Sequence, residues 1–149
     1  MDMTERLNRV EEVICEMQDL SKSGVIIIVE GKNDVIALRA LGVIGPIEIA
    51  TRRPLFLFAE DISKKTVKGN EVIILTDWDR RGGFLASRIS EYLRSMDTIP
   101  NNRLRSKLSS LVRKEVTDVE SLSGYVEKLR YTVLLGCNFN VNKTLSKSI

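Results

Sequence analysis

Val25-Ile26-Ile27-Ile28-Val29-Glu30-Gly31-Lys32-Asn33-Asp34 is the stretch whose reading decides the fold. Its first five residues are all β-branched, too short a run for a helix and apolar on both faces, which is the pattern of a central parallel strand covered on both sides. A second such run, Val72-Ile73-Ile74-Leu75, is followed by Thr76-Asp77-Trp78-Asp79-Arg80-Arg81-Gly82-Gly83. Around these runs the apolar period changes to three and four. Leu7, Val10, Ile14, Met17 and Leu20 predict a helix capped by Asp2 or Thr4 and stopped at Ser21 to Gly24. Asn33 or Asp34 caps a short helix through Leu38 and Leu41. Pro46 to Ala50 alternates weakly as a strand, and a helix from about Pro54 to Lys65 follows.

Beyond the second strand, Gly82-Gly83 opens a helix carrying Leu85, Ile89, Leu93 and Met96 and closed by Pro100. A basic helix with Leu104, Leu108, Leu111 and Val112 comes next, then a short strand at Glu115-Val116. Asp118 caps a last helix through Leu122, Val126 and Leu129, and the final ten or so residues read as a tail. Strands separated by helices imply βαβ units with right-handed crossovers, hence an α/β fold with a mostly parallel central sheet flanked by helices on both faces. The expected organisation is an N-terminal amphipathic helix (1–23) packing on one α/β domain (24–122), with a C-terminal helix and tail (118–149).

A length of 149 residues suits one such domain with a self-sufficient core. The chain has no histidine, which removes Ser-His-Asp and Cys-His triads, the imidazole base and imidazole metal sites. Cys15 and Cys137 are far apart and form no CxxC pair, so they read as reduced thiols and not as a thiolate metal site. No apolar run approaches the roughly 20 residues of a bilayer span, so a soluble, cytoplasmic protein without a membrane partner is expected.

The net charge of +3 is unevenly spread, net −2 over residues 1–100 and net +5 over residues 101–149. Arg103, Arg105, Lys107, Arg113 and Lys114 stand in 101–114 without an anion, suited either to a phosphate-facing surface or to a solvated helix face.

In open α/β sheets chemistry gathers beyond the carboxyl ends of the strands. Here both strands deliver carboxylates there: Glu30 after the first, Asp77 and Asp79 after the second. If the backbone stays extended, the two aspartates lie on one face and Glu30 completes an oxygen-only cluster that selects Mg2+ or Mn2+ over zinc. Alone, Asp-x-Asp equally describes turn and cap residues leading into a helix. Its neighbours add phosphate-binding character: glycines at 31, 82 and 83, the cations Arg80 and Arg81, and the amides opening the next helix. Trp78 is expected to point away from the aspartates and pack against a neighbouring helix, base stacking being its other reading.

The pairing of Val29-Glu30-Gly31-Lys32-Asn33-Asp34 with Thr76-Asp77-Trp78-Asp79-Arg80-Arg81-Gly82, about 40 residues later, resembles the TOPRIM domain, over roughly residues 24–122. That family includes type IA and type II topoisomerases, bacterial-type primases, overcoming-lysogeny nucleases and the ribonuclease that matures 5S ribosomal RNA. The whole chain resembles small stand-alone archaeal TOPRIM proteins of uncharacterised function. The resemblance implies a Rossmann-like fold, Glu30 as general acid/base or metal ligand, and Asp77 and Asp79 as Mg2+ ligands, with Lys32, Arg80 and Arg81 as phosphate contacts. The implied chemistry is metal-assisted phosphoryl transfer on RNA or DNA, by one or two Mg2+ ions for which Mn2+ substitutes.

The chain departs from the larger relatives. Tyr92, Tyr125 and Tyr131 all fall in helical patterns, not on a topoisomerase's separate nucleophile domain, and a primase's zinc and template modules have neither length nor ligands here. Two expectations remain. One is a small Mg2+-dependent nuclease that uses the 101–114 helix to hold nucleic acid. The other is a non-catalytic nucleic-acid-binding or assembly module, as a homodimer or within a larger processing complex.

Overall fold

Alternation along the two apolar strands divides the molecule into its layers. The computed structural model describes residues 1–147, with side chains through Gly136. The elements run α1 (Met3–Lys22), β1 (Ile27–Val29), α2 (Lys32–Ala40), β2 (Ile47–Ile49), a 3-10 turn at Ala50–Arg52, and α3 (Leu55–Lys65). Then come β3 (Glu71–Ile74), α4 (Arg80–Ser95), β4 (Ile99–Asn101), α5 (Arg103–Val112) and α6 (Leu122–Lys147). The sheet is parallel throughout, in the order β2-β1-β3-β4.

Ile27, Val29, Ile73 and Leu75 face one layer, packed with Val10, Ile14 and Met17 of α1, Leu38 of α2, Leu104 and Leu108 of α5, and Leu122 and Val126 of α6. Ile26, Ile28, Val72 and Ile74 face the other, against Phe58 and Ile62 of α3 and Ile89 and Leu93 of α4. The fold is therefore the expected α/β sheet covered on both faces, and each fully buried Ile or Leu contributes about 1.5–3 kcal/mol of burial free energy.

The strand order fixes where a ligand crevice must lie. From β1 the chain moves through α2 to the edge strand β2, returns through α3 on the opposite face to β3, and continues through α4 to β4. β1 and β3 are neighbours whose outgoing helices leave on opposite faces, which makes the gap beyond their carboxyl ends the topological switch point. Glu30 and Asp77 stand at those two ends.

Several boundaries differ from the sequence reading. Pro100, which the sequence places at the close of the preceding helix, sits inside β4, since proline is tolerated on an edge strand. Ile99 donates its amide to Asn70 O (3.1 Å), so at alternate positions the next nitrogen, that of Pro100, faces away from the sheet. Glu115-Val116 is not a strand: both amides bond back to Val112 O at 2.9 Å, extending the turn after α5. The helix after β3 opens at Arg80, two residues before Gly82, and α6 stays helical through Lys147 where a tail was expected, with 148–149 outside the described residues. Cys15 is exposed on α1, and the Cys137 side chain lies outside the described residues. Among the described residues, no helix is long and apolar enough to cross a membrane.

Candidate functional site

Each of the three acids singled out in the sequence is held by one backbone amide. Glu30 Oε2 accepts from Asp77 N (2.7 Å), Asp77 Oδ1 from Val119 N (2.9 Å), and Asp79 Oδ1 from Gly82 N (2.7 Å). The first bond ties the end of β1 to the end of β3. The second draws the 116–120 segment over the site, and the third makes Asp79 the N-cap of α4. The chain therefore does not stay extended past β3, and Asp79 is turned onto its own helix. Gly82 is required there, because a Cβ would collide with the Asp77 carbonyl; Thr76 Oγ1 donates to Gly82 O (2.7 Å) and closes the same turn.

Glu30 and Asp77 are brought together. Burial, reinforced by the facing Glu30 and Asp34 carboxylates and opposed by the Val119 amide, pushes the Asp77 carboxyl up to about 7. Asp34 is a member that sequence reading treated only as a cap. It is 6% exposed, accepts the Gly31 amide (2.9 Å), and is raised chiefly by burial, with Glu30, Glu120 and Asp118 adding to the shift. The five residues Glu30 to Asp34 held the signal, since one helical turn returns Asp34 to Gly31.

Arg105 is the other site member. Of the five cations in 101–114 it alone is turned inward, its Nε donating to Thr76 O (3.0 Å) and Asp77 O (3.2 Å) and its Nη2 to Asp77 O (2.7 Å). Burial lowers its pKa, while Glu30, Asp77 and Asp79 pull it back up. The remaining four cations are exposed: Arg103 is in a bidentate pair with Glu16 of α1 (2.9 and 2.5 Å), and Arg113 donates to Ser109 of its own helix. Lys32, Arg80 and Arg81 are exposed in the first turns of α2 and α4, flanking the acids. Trp78 donates from Nε1 to Val116 O (2.7 Å) and packs partly buried against the core, so it is not a free stacking surface.

The donor set suits a hard cation, being all carboxylate oxygen with no nitrogen or sulfur. The part in mutual contact is the Glu30–Asp77 pair; among the described residues, no three acids close on a single point where they could hold an ion. A cation between Glu30 and Asp77 would offset the repulsion that adds to the burial-driven rise of Asp77.

Fold and site together define a class: a doubly wound α/β domain with paired acids at its switch point. The chain belongs to the Toprim domain family, whose pattern matches residues 25–111. It is 50% identical over 125 residues to a UPF0292 protein of Methanosarcina acetivorans, covering 84% of this chain and 85% of the relative. To a UPF0292 protein of Methanocaldococcus jannaschii it is 39% identical over 128 residues, 86% of this chain and 98% of the relative. A solved structure of an Aquifex aeolicus protein superposes with a TM-score of 0.62 at 24% identity, covering 74% of this chain and 94% of that one, and supports the fold alone. Membership in the family supports a metal-binding, nucleic-acid-related role.

Proposed function

We propose that this protein is a Mg2+-dependent phosphodiester-processing protein acting on nucleic acid. The observation that carries the reading is the Glu30–Asp77 pair, a half-buried carboxyl pair at the switch point, with Asp77 raised to about 7 and the Arg105 guanidinium directly behind it. Glu30 and Asp77 would hold the cation, with Asp79 within reach if its carboxylate leaves the α4 cap. Bound there, Mg2+ would offset charge on the phosphate oxygens and lower the pKa of an attacking water. Glu30 keeps one carboxylate oxygen free of backbone bonds and is the group to exchange a proton with the reacting oxygen. Arg105 fixes the Asp77 backbone. Lys32, Arg80 and Arg81 flank the acids and would take the phosphates on either side of the scissile bond.

Labelled RNA and DNA panels incubated with Mg2+ or Mn2+ test this against Glu30→Gln and Asp77→Asn. Metal-dependent cleavage lost in both variants is the expected result, and cleavage that persists in both removes the catalytic assignment. One observation favours a second reading, a non-catalytic module that uses Mg2+ to bridge phosphate: the Asp79 carboxylate is already engaged by Gly82 N. Metal-dependent binding without cleavage would select it.

A further inference from the structure

The outward face of α4 carries an alternation of cations and rings. Arg80, Phe84, Arg88 and Tyr92 are each four residues apart, while Leu85, Ala86, Ile89, Ser90 and Leu93 form the buried face. Residues four apart share one side of a helix and step about 6 Å along its axis. Phe84 is 63% exposed, an unusual place for a phenylalanine in the first turns of a helix beginning beside the acids. The Arg88 guanidinium lies over the Tyr92 ring, 5.2 Å from its centroid, and donates to the Tyr92 hydroxyl (2.7 Å). Phe56 of α3, 48% exposed, meets Tyr92 edge to face at 5.5 Å and 89°, so the rings continue onto the neighbouring helix. Acids border the stripe: Asp79 caps the helix just before Arg80, Glu60 follows Phe56 by one turn of α3, and Glu91, exposed, is 4.0 Å from Arg88.

Flat exposed rings take nucleobases, and guanidinium groups between them take phosphates. The spacing selects among nucleic acids: the rings on α4 are two such steps apart, about 12 Å, several times the 3.4 Å rise per nucleotide of a stacked strand, so the face fits an extended chain with bases apart. A duplex keeps its base faces stacked inside and offers nothing to Phe84. We propose that the outer face of α4 is a track for single-stranded nucleic acid leading away from the Glu30–Asp77 site, with Phe84 and Phe56 stacking bases and Arg80 and Arg88 holding phosphates. The proposal rests on the reading that the protein acts on nucleic acid, and it specifies single strands and the path they take.

The test is fluorescence anisotropy with the full chain and labelled single-stranded RNA, single-stranded DNA and duplexes of one sequence, in EDTA at several salt concentrations. Single strands of RNA, DNA or both should bind more tightly than duplex. Phe84→Ala should weaken single-strand binding by about 10-fold, and Phe84→Trp should restore it. Arg88→Ala should lower the slope of log K against log salt by about 0.7. Phe84 and Arg88 lie on the surface, and circular dichroism checks that each variant keeps its fold. Wild-type binding unchanged by Phe84→Ala and Arg88→Ala would overturn the track while leaving a nucleic-acid role intact. Failure of the wild type to bind any strand at low salt, in EDTA and again with Mg2+ restored, would overturn that role, and the track with it.

Discussion

Glu30 accepts the backbone amide of Asp77 at 2.7 Å, so the carboxylate at the end of β1 braces the chain leaving β3. One side chain thus serves position and charge, and two substitutions separate them. Glu30→Gln keeps an acceptor for the amide, whereas Glu30→Ala leaves it unpaired. Glu30→Ala is expected to unfold about 1–2 kcal/mol more easily than Glu30→Gln in urea titrations, with metal-dependent activity lost in both. Equal stabilities would mean that the bond carries no positional weight.

The metal-free protein should lose stability as pH rises. Asp77 titrates at about 7 in the folded chain against 3.8 for an ordinary aspartate, so over that interval the folded state binds the extra proton. A raised carboxyl contributes stability that is fully present below the unfolded value and lost as pH climbs through the folded one. Asp34, also raised, acts in the same sense. Calorimetry in EDTA should show Tm falling between about pH 4 and 7 in wild type, levelling off above, and falling less in Asp77→Asn. Added Mg2+ should stabilise wild type more at pH 8 than at pH 6, since protons and cation compete for one carboxylate. Parallel curves for wild type and Asp77→Asn would remove the raised acid from the account.

Asp79 has two candidate roles that asparagine separates. As the α4 N-cap it needs only an oxygen to accept from Gly82 N, and asparagine caps about as well as aspartate. Asp79→Asn should therefore match wild-type stability within a few tenths of a kcal/mol, while Asp79→Ala loses about 1 kcal/mol. Metal-dependent activity that survives in Asp79→Asn would assign the residue to the cap alone.

The features legible in the sequence were those set by repetition along the chain. Four apolar residues in a row cannot satisfy a helix and half-expose a strand at once, so β1 and β3 announced themselves, and the acids after them followed from where parallel strands end. β4 was illegible because three residues with an exposed Ile99 and a central Pro100 become a strand only when β3 supplies the partner. Asp79 was ambiguous for a related reason: cap and ligand have the same spacing, and only the turn at Gly82 decides which way the carboxylate points. On α4 the pattern of Leu85, Ile89 and Leu93 gave the buried face, and the stripe at Arg80, Phe84, Arg88 and Tyr92 gained meaning only once Phe56 of α3 was seen beside it. Arg105 looked like one of five equivalent cations, and its inward turn depends on α5 packing beside β3, a contact that local sequence does not encode.

That inward turn gives Arg105 a role its neighbours lack. Its planar fork meets two successive carbonyls, Thr76 O and Asp77 O, at the point where β3 ends and the acids begin. A lysine would keep the charge and lose the fork; a methionine would lose both. Each substitution leaves the carbonyls short of donors, so both should cost roughly 1–3 kcal/mol in chemical denaturation. The charge acts separately, because Glu30, Asp77 and Asp79 all attract it and it opposes the Glu30 repulsion that adds to the rise of Asp77. Arg105→Met should therefore drive Asp77 further above about 7, moving the pH-dependent loss of Tm to higher pH, while Arg105→Lys leaves its position unchanged. If the two variants trace the same Tm–pH curve, Arg105 works through its hydrogen bonds alone and the electrostatic half of its role is wrong.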